Sequence, residues 1–309
     1  MLEKEPIVIV IVGPTASGKS DLAVSIAKKI SGEIISADSR QVYRGMNLGT
    51  GKITKKEMSG IPHHLLDVVN PWNSFSVSRY KKMGRKIIKE IIARGKTPIV
   101  CGGTGHYIEA LVEGLIIPEV KPDKKLRKLL EKKTTKELFA LLKKLDPERA
   151  KTIDQHNPRR LVRAIEIATH LGSVPEKQYN PLPYKTLWIG VSKDTDELKE
   201  RIHTRLLSRI KRGMIKEIQN LHDGKLGKSV SWKKLDDFGL EYRYVSRYLR
   251  KLITKEEMII QLEKEIIAFS KRQDTWFKRN KSIQWIQDIE ELYKVQNLKL
   301  KNFQRIILP

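Results

Sequence analysis

The residues best equipped for chemistry are Gly13-Pro14-Thr15-Ala16-Ser17-Gly18-Lys19-Ser20, which satisfy the spacing G-x-x-x-x-G-K-[ST] directly after the apolar run Ile7 to Val12. Glycines at both ends let the backbone turn tightly enough for successive N–H groups to converge on one anion. Lys19 adds a point charge, Ser20 offers a hydroxyl able to hold Mg²⁺, and a helix starting near Asp21 aims the positive end of its dipole at the same spot. The chemistry is polyphosphate binding, and a pyrophosphate group fits it. A ligand-free glycine turn is the poorer reading, because a β-branched strand precedes the loop and Leu22, Ala23, Ile26, Ala27 and Ile30 share one helical face after it. The loop does not say which phosphate compound it holds.

Asp38 ends a second apolar run, Glu33 to Ala37. A carboxylate there can hold Mg²⁺ through water, or accept a hydrogen bond or proton from an attacking nucleophile. The plain alternative is a turn aspartate capping the next helix. Gly49-Thr50-Gly51-Lys52 reads as a flexible, basic segment able to close on a ligand. Gly102-Gly103-Thr104-Gly105 follows a third strand at the place where a nucleotide hydrolase often carries an acidic magnesium ligand, and no acid is present. That lowers the case for ATP hydrolysis and predicts a loop whose glycines serve flexibility, with Thr104 as its polar contact. Arg201 and Arg205 lie four residues apart and share a helix face, so either could neutralise charge on a leaving phosphate, unless both are ordinary surface arginines.

These residues need a scaffold that brings distant loops together. Strand candidates Ile7 to Val12, Glu33 to Ala37 and Pro98 to Cys101 alternate with helical patterns, one of which places Val77, Tyr80, Ile87, Ile88 and Ile91 on one side and ends at Gly95. The βαβ rhythm predicts an α/β fold with a phosphate-loop parallel sheet core flanked by helices, its ligands at the carboxyl ends of the strands. From about Gly114 the sequence turns to short, basic helical segments without a strand until Thr186 to Val191. This predicts an inserted all-helical domain over 114–184, between catalytic-core segments 1–113 and 185–309. One inserted helix is well marked: Asn157 caps it, Pro158 opens it, Leu161, Val162, Ile165 and Ala168 line its buried face, and Gly172 comes after its end. Arg159, Arg160 and Arg163 crowd its start, where cations oppose the helix dipole, and so read as a phosphate-contact patch, with a merely solvated face as the alternative. Leu198 to Leu221 and Lys255 to Lys278 read as long basic helices, Trp188, Trp232, Trp276 and Trp285 as packing residues, and the chain after Trp285 as a peripheral tail.

Within 309 residues, 61 Lys and Arg against 36 Asp and Glu leave a net charge of +25, which favours a polyanionic partner, nucleic acid ahead of an acidic membrane, over a merely solvated, lysine-rich surface. Cys101 is the single cysteine, so an internal disulfide framework and a multi-cysteine zinc site are excluded and a reducing cytoplasm is the default. The charged start, Met1 to Pro6, and the lack of an apolar run of about 18 residues predict a chain without targeting or membrane-spanning segments.

From Ile7 to Arg279 the sequence resembles the tRNA dimethylallyltransferase (tRNA isopentenyltransferase) family. The matching stretches are the phosphate loop at Gly13, Asp-Ser-Arg-Gln-Val-Tyr-Arg-Gly-Met at Asp38, Gly-Thr-Gly-Lys at Gly49, Pro-His-His-Leu-Leu-Asp at Pro62 and Phe-Ser-Val at Phe75. Gly-Gly-Thr-Gly-His-Tyr at Gly102, Asn-Pro-Arg-Arg-Leu-Val-Arg-Ala at Asn157 and Lys-Arg-Gln-Asp-Thr-Trp-Phe at Lys271 continue the series in order. The resemblance implies Mg²⁺-dependent transfer of the dimethylallyl group of dimethylallyl diphosphate to the N6 amine of the adenosine 3′-adjacent to the anticodon, in tRNAs reading codons that begin with U. It implies that Gly13 to Ser20 bind the diphosphate, that Lys19, Mg²⁺ on Ser20, Thr15 and Arg205 assist the leaving group, and that Asp38 is the general base. It further implies tRNA contacts at Asp38, Ser39, Arg40, Gln41, Thr104, Arg159, Arg160, Leu161, Val162, Arg163 and Arg243, with the insertion gripping the anticodon stem-loop and the target base flipped out of its stack. A cytoplasmic monomer is expected. The chain departs from the family at Phe238-Gly239-Leu240-Glu241-Tyr242-Arg243 and at His156-Asn157, which puts the RNA contacts at 240–243 in question, and it has no zinc-finger tail. The rival within reach is an adenylate isopentenyltransferase acting on free nucleotide, which would need neither the insertion nor so much positive charge; a phosphate-loop kinase and a non-catalytic RNA-binding protein fit less well.

Overall fold

Apolar β-branched runs form the central strands of a six-stranded parallel sheet in the computed structural model, which describes residues 6–288, 290 and 291. The strands are β1 (Ile7–Val12), β2 (Gly32–Ser36), β3 (His63–His64), β4 (Thr97–Gly102), β5 (Lys185–Val191) and β6 (Gln284–Ile286), in the spatial order β3-β2-β4-β1-β5-β6. β1 sits in the middle, Ile9 beside Ile99 of β4 and Val10 beside Trp188 of β5. Its alternate residues serve two cores: Val8, Val10 and Val12 pack on one face of the sheet, Ile9 and Ile11 on the other. Burial on both faces is what a parallel sheet covered by helices requires. β3 and β6 were not foreseen, since a two-residue His-His strand and a Gln-Trp-Ile strand carry almost no pattern.

The chain up to Glu113 together with the chain from Pro181 onward forms one compact unit, and Gly114–Asn180 forms a second. In the first, the helix Lys19–Lys29 begins at Lys19, ahead of the expected start, because Gly18 adopts the left-handed conformation with φ 93°. The helix Val77–Ala93 buries Tyr80, Ile88 and Ile91, and Gly95 comes after it at φ 70°. The expected single helix Leu198 to Leu221 is instead two, Thr195–Lys211 and Met214–His222, broken at Gly213 with φ 102°. Lys255–Phe277 is continuous, started by a capping box between Thr254 and Glu257.

The second unit packs the helices Lys124–Leu130, Thr135–Leu145, Pro147–Thr152 and Pro158–Leu171 around Leu130, Leu138, Leu142, Leu161 and Ile165. Asn157 caps the last of these helices by accepting from the Arg160 N–H at 3.2 Å. Backbone bonds from Asn180 N–H to Gly114 O (3.0 Å) and from Ile116 N–H to Gln178 O (2.8 Å) tie its two ends together. Among the described residues no helix is long and apolar enough to cross a membrane, and no group of three or more His, Cys, Asp or Glu side chains could hold a metal. The charged segment Met1 to Glu5 and most of the expected tail after Trp285 lie outside the described residues.

Candidate active site

The carboxyl ends of β1, β2 and β4 deliver the phosphate loop, Asp38 and Thr104 to one region of the first unit, as parallel topology demands. A cavity of about 280 Å³ opens there, with Thr15, Asp38, Ser39, Arg40, Thr104, Arg205 and Arg243 in its wall. Helix residues Phe238, Phe269, Arg272 and Gln273 complete it.

The loop itself is preorganised. Gly13, at φ 153°, has no room for a side chain: a Cβ would lie 2.5 Å from the Val191 carbonyl oxygen and 2.9 Å from Ser17 Oγ. Ser17 is buried and its hydroxyl has no hydrogen-bond partner among the described residues, an orphan donor in a loop shaped for an anion. Lys19 Nζ donates to the Pro14 carbonyl at 3.0 Å. Desolvation lowers the Lys19 pKa, opposed by Cys101 and Asp38 and reinforced by Arg205, so an arriving polyanion would favour its charged form. Ser20 lines a small cavity of about 30 Å³ with Ser36, Gln41 and Cys101. Hydroxyl and amide oxygens beside a phosphate loop fit Mg²⁺, which takes few protein ligands and completes its shell with water and phosphate oxygens.

Asp38 fills the turn role considered for it with one oxygen and leaves the other unpartnered among the described residues. Its Oδ1 accepts from the backbone N–H groups of Arg40 (2.7 Å) and Gln41 (3.2 Å), fixing the turn. Its Oδ2 accepts no hydrogen bond among the described residues, and the carboxylate lies in the cavity wall. The Ser39 N–H donates to Thr104 Oγ1 at 3.0 Å, joining the ends of β2 and β4. Arg40 Nε donates to the Phe238 carbonyl at 2.8 Å, its guanidinium 5.5 Å from the Phe238 ring centroid. Gln41 faces away from the large cavity, its amide shared between Ser36 Oγ and the Thr50 carbonyl.

The two arginines of the helix Thr195–Lys211 divide their labour. Arg201 Nε donates to the Ala16 carbonyl at 2.9 Å, so Arg201 braces the loop from outside. Arg205 lines the cavity and makes no hydrogen bond or ion pair among the described residues, leaving a cation for an anionic ligand. Arg243 also reaches the cavity wall, with Nε bound to the Asp236 carbonyl at 3.1 Å, while its neighbour Glu241 pairs with Arg209 at 2.9 Å.

Two expectations about loops are corrected. Gly49-Thr50-Gly51-Lys52 is not a free lid. Glu217 accepts from the N–H groups of Asn47 (3.0 Å), Leu48 (2.7 Å) and Gly49 (3.0 Å), Arg209 donates to the carbonyls of Leu48 and Gly49 (both 3.3 Å), and Lys52 is spent on Asp67 at 2.6 Å. The glycines at 102, 103 and 105 serve close packing rather than flexibility: a Cβ there would collide with the Ala37 carbonyl, the Gln273 amide and the Trp276 indole respectively. Glu217 and Arg209 were not singled out from sequence, and Gln273 entered only as part of the family-like stretch at Lys271 with no role of its own, because each acts across more than 150 residues of chain.

In the helical unit the arginine cluster is not uniform. Arg163 is committed to the wholly buried Glu166, which also receives two bonds from Arg127 (2.8 and 2.7 Å), and to the Val120 carbonyl at 3.0 Å. Leu161 is 0% exposed, so its side chain belongs to the core rather than to an RNA-facing surface. Arg160 stays exposed, with only a 4.0 Å pair to Asp154. The patch read as three phosphate contacts thus contains at least one structural arginine.

A phosphate cradle opening into a cavity with one uncommitted carboxylate oxygen is the equipment of a group-transfer protein of the phosphate-loop α/β class. A family model described as IPP transferase matches residues 41–280, and one described as isopentenyl transferase matches residues 6–71. The chain belongs to the IPP transferase family. It is 43% identical over 272 residues to tRNA dimethylallyltransferase 2 of Trichlorobacter lovleyi, covering 88% of this chain and 87% of that one. A crystal structure of the full-length tRNA isopentenylpyrophosphate transferase of Bacillus halodurans superposes with a TM-score of 0.69 at 34% identity, over 98% of this chain and 96% of that chain. A eukaryotic dimethylallyltransferase acting on tRNA gives a TM-score of 0.76 at 25% identity, over 96% and 78% of the two chains.

Proposed function

We propose that this chain transfers the dimethylallyl group of dimethylallyl diphosphate to the N6 amine of the adenosine 3′-adjacent to the anticodon, in tRNAs reading codons that begin with U. The observation that carries the reading is the convergence, on one cavity, of the phosphate loop, the uncommitted oxygen of Asp38 and the uncommitted guanidinium of Arg205. The diphosphate sits on the loop from Gly13 to Ser20, with Lys19 and the Ser17 hydroxyl as donors. Thr15, in the cavity wall, marks where the diphosphate gives way to the allylic carbon. Asp38 accepts the N6 proton as the N6–C1 bond forms and the C1–O bond to diphosphate breaks. Lys19 and Arg205 neutralise the charge that the departing diphosphate gathers. A Mg²⁺ ion, which the Ser20 hydroxyl would help to hold, would supply further neutralisation of the diphosphate charge.

A stacked adenine cannot reach Asp38, so the base leaves its stack and enters the cavity, where Phe238 and Phe269 offer aromatic faces and Arg40 and Arg243 offer donors. The helical unit grips the anticodon stem-loop through exposed cations such as Arg160, and the net charge of +25 gives salt-sensitive attraction to the RNA backbone. The test is nucleoside mass analysis of an anticodon stem-loop incubated with the protein, Mg²⁺ and dimethylallyl diphosphate. A dimethylallyl-adenosine at the position after the anticodon supports the assignment, and unmodified adenosine there overturns it.

A further inference from the structure

Gln273 is a buried amide on the helix Lys255–Phe277 with two partners from the loops that follow different strands, β1 and β4. Its Oε1 accepts from the Thr15 N–H at 2.8 Å, and its Nε2 donates to the Gly103 carbonyl at 2.9 Å. It also lines the cavity beside Asp38, Thr104 and Arg205. Gly103 has no space for a Cβ because the Gln273 amide fills it. One carboxamide therefore couples the phosphate loop to the β4 exit, and Thr104, next to Gly103, in turn holds the Ser39 N–H beside Asp38.

We propose that Gln273 is the positioning residue that holds Thr15 on the phosphate loop and Thr104 after β4 in the arrangement that transfer requires. The proposal rests on the reading of the phosphate loop as the diphosphate site. Its first consequence is that the Thr15 N–H is withdrawn from the anion cradle, so the diphosphate is met by the amides from Ala16 onward and by side chains. Its second is a strict polarity: one end of the residue must accept and the other must donate. An ionised glutamate offers acceptors at both ends and would face the Gly103 carbonyl with negative charge. A protonated glutamate restores the pattern, its carbonyl oxygen accepting and its hydroxyl donating.

The test compares Gln273→Glu and Gln273→Leu with the unmodified protein. It follows kcat and KM for stem-loop prenylation across pH, binding of inorganic diphosphate, and thermal unfolding. Gln273→Leu should lower kcat about a hundredfold, the scale of a misplaced catalytic group, with little change in KM for the stem-loop. Gln273→Glu should show a similar defect at neutral pH and weaker diphosphate binding. Its activity relative to the unmodified protein should then recover as pH falls and the new carboxyl protonates. The charged groups around the shared wall, Asp38 and Arg40, Arg205 and Arg209, Glu241 and Arg243, and Glu265 and Arg272, are common to both proteins, so the ratio isolates position 273. A flat activity ratio with pH, or losses that only track the fraction unfolded, would overturn the positioning role. Diphosphate binding that is normal in the unmodified protein without prenyl transfer would instead count against the proposed function, and the variants' effect on that binding would still judge Gln273.

Discussion

Replacing Asp38 by Asn and by Ala separates the two oxygens of its carboxylate. In Asp38→Asn the side-chain oxygen can keep both backbone bonds, from Arg40 N–H at 2.7 Å and Gln41 N–H at 3.2 Å, because the reverse orientation would set an NH₂ group against two N–H donors. The turn survives and the base is lost, so stability should change by less than about 0.5 kcal/mol while the transfer rate falls about 10²- to 10⁴-fold. Asp38→Ala removes the acceptor for both amides, each worth about 0.5–1.5 kcal/mol net, and should cost about 1–3 kcal/mol of stability as well as the same catalytic loss. Single-turnover transfer to a stem-loop with saturating donor gives the rate, urea unfolding gives the stability, and titration with labelled RNA shows whether binding persists. The reasoning fails if Asp38→Asn keeps a rate within about threefold of the unmodified protein, well inside what a lost general base removes. It fails equally if the two variants are destabilised alike, since Oδ1 would then not be the structural oxygen.

Arg160→Ala should weaken tRNA binding and reduce the slope of log affinity against log salt by about one, while diphosphate affinity is spared. Arg163→Ala should act differently, lowering the stability of the helical unit by about 1–3 kcal/mol because the buried Glu166 keeps only Arg127 and the Asp123 N–H, and leaving the salt slope nearly unchanged; binding titrations at several salt concentrations, read beside unfolding curves, distinguish the two. Burial alone would raise the Glu33 carboxyl, but Arg94 (2.7 Å), His64 (2.7 Å) and Lys96 (3.0 Å) outweigh it and hold the pKa at about 2 against an ordinary 4.5. A depressed acid stabilises the fold above its unfolded value, so the stability advantage over Glu33→Gln should be full above pH 4.5 and disappear as pH falls towards 2, as acid-unfolding curves of the two proteins would show.

What the sequence made legible was local. The phosphate loop is a spacing rule within eight residues, and the Asn157-Pro158 start and Gly172 end of an inserted helix are caps read within one turn. Asp38 could be placed at the site because the end of a parallel strand is a position as well as a residue type. What escaped was set by pairing across the chain. Gln273 stands in the stretch at Lys271 that resembles the family, but nothing in its residues names its partners, Thr15 and Gly103, which lie 258 and 170 residues away. Glu217 and Arg209 look like surface charges until folding brings the Asn47–Gly49 backbone between them. Arg163 and Arg160 look alike in sequence, and only the buried Glu166, one turn further along the same helix, separates a structural cation from an exposed one.

The most direct measurement is transfer of labelled dimethylallyl diphosphate to three acceptors in parallel, an anticodon stem-loop with adenosine 3′ of the anticodon, AMP and ADP, with ATP hydrolysis tracked alongside. Label in the stem-loop alone is the predicted result. Label in free AMP or ADP, or ATP turnover without any prenyl transfer, would contradict it.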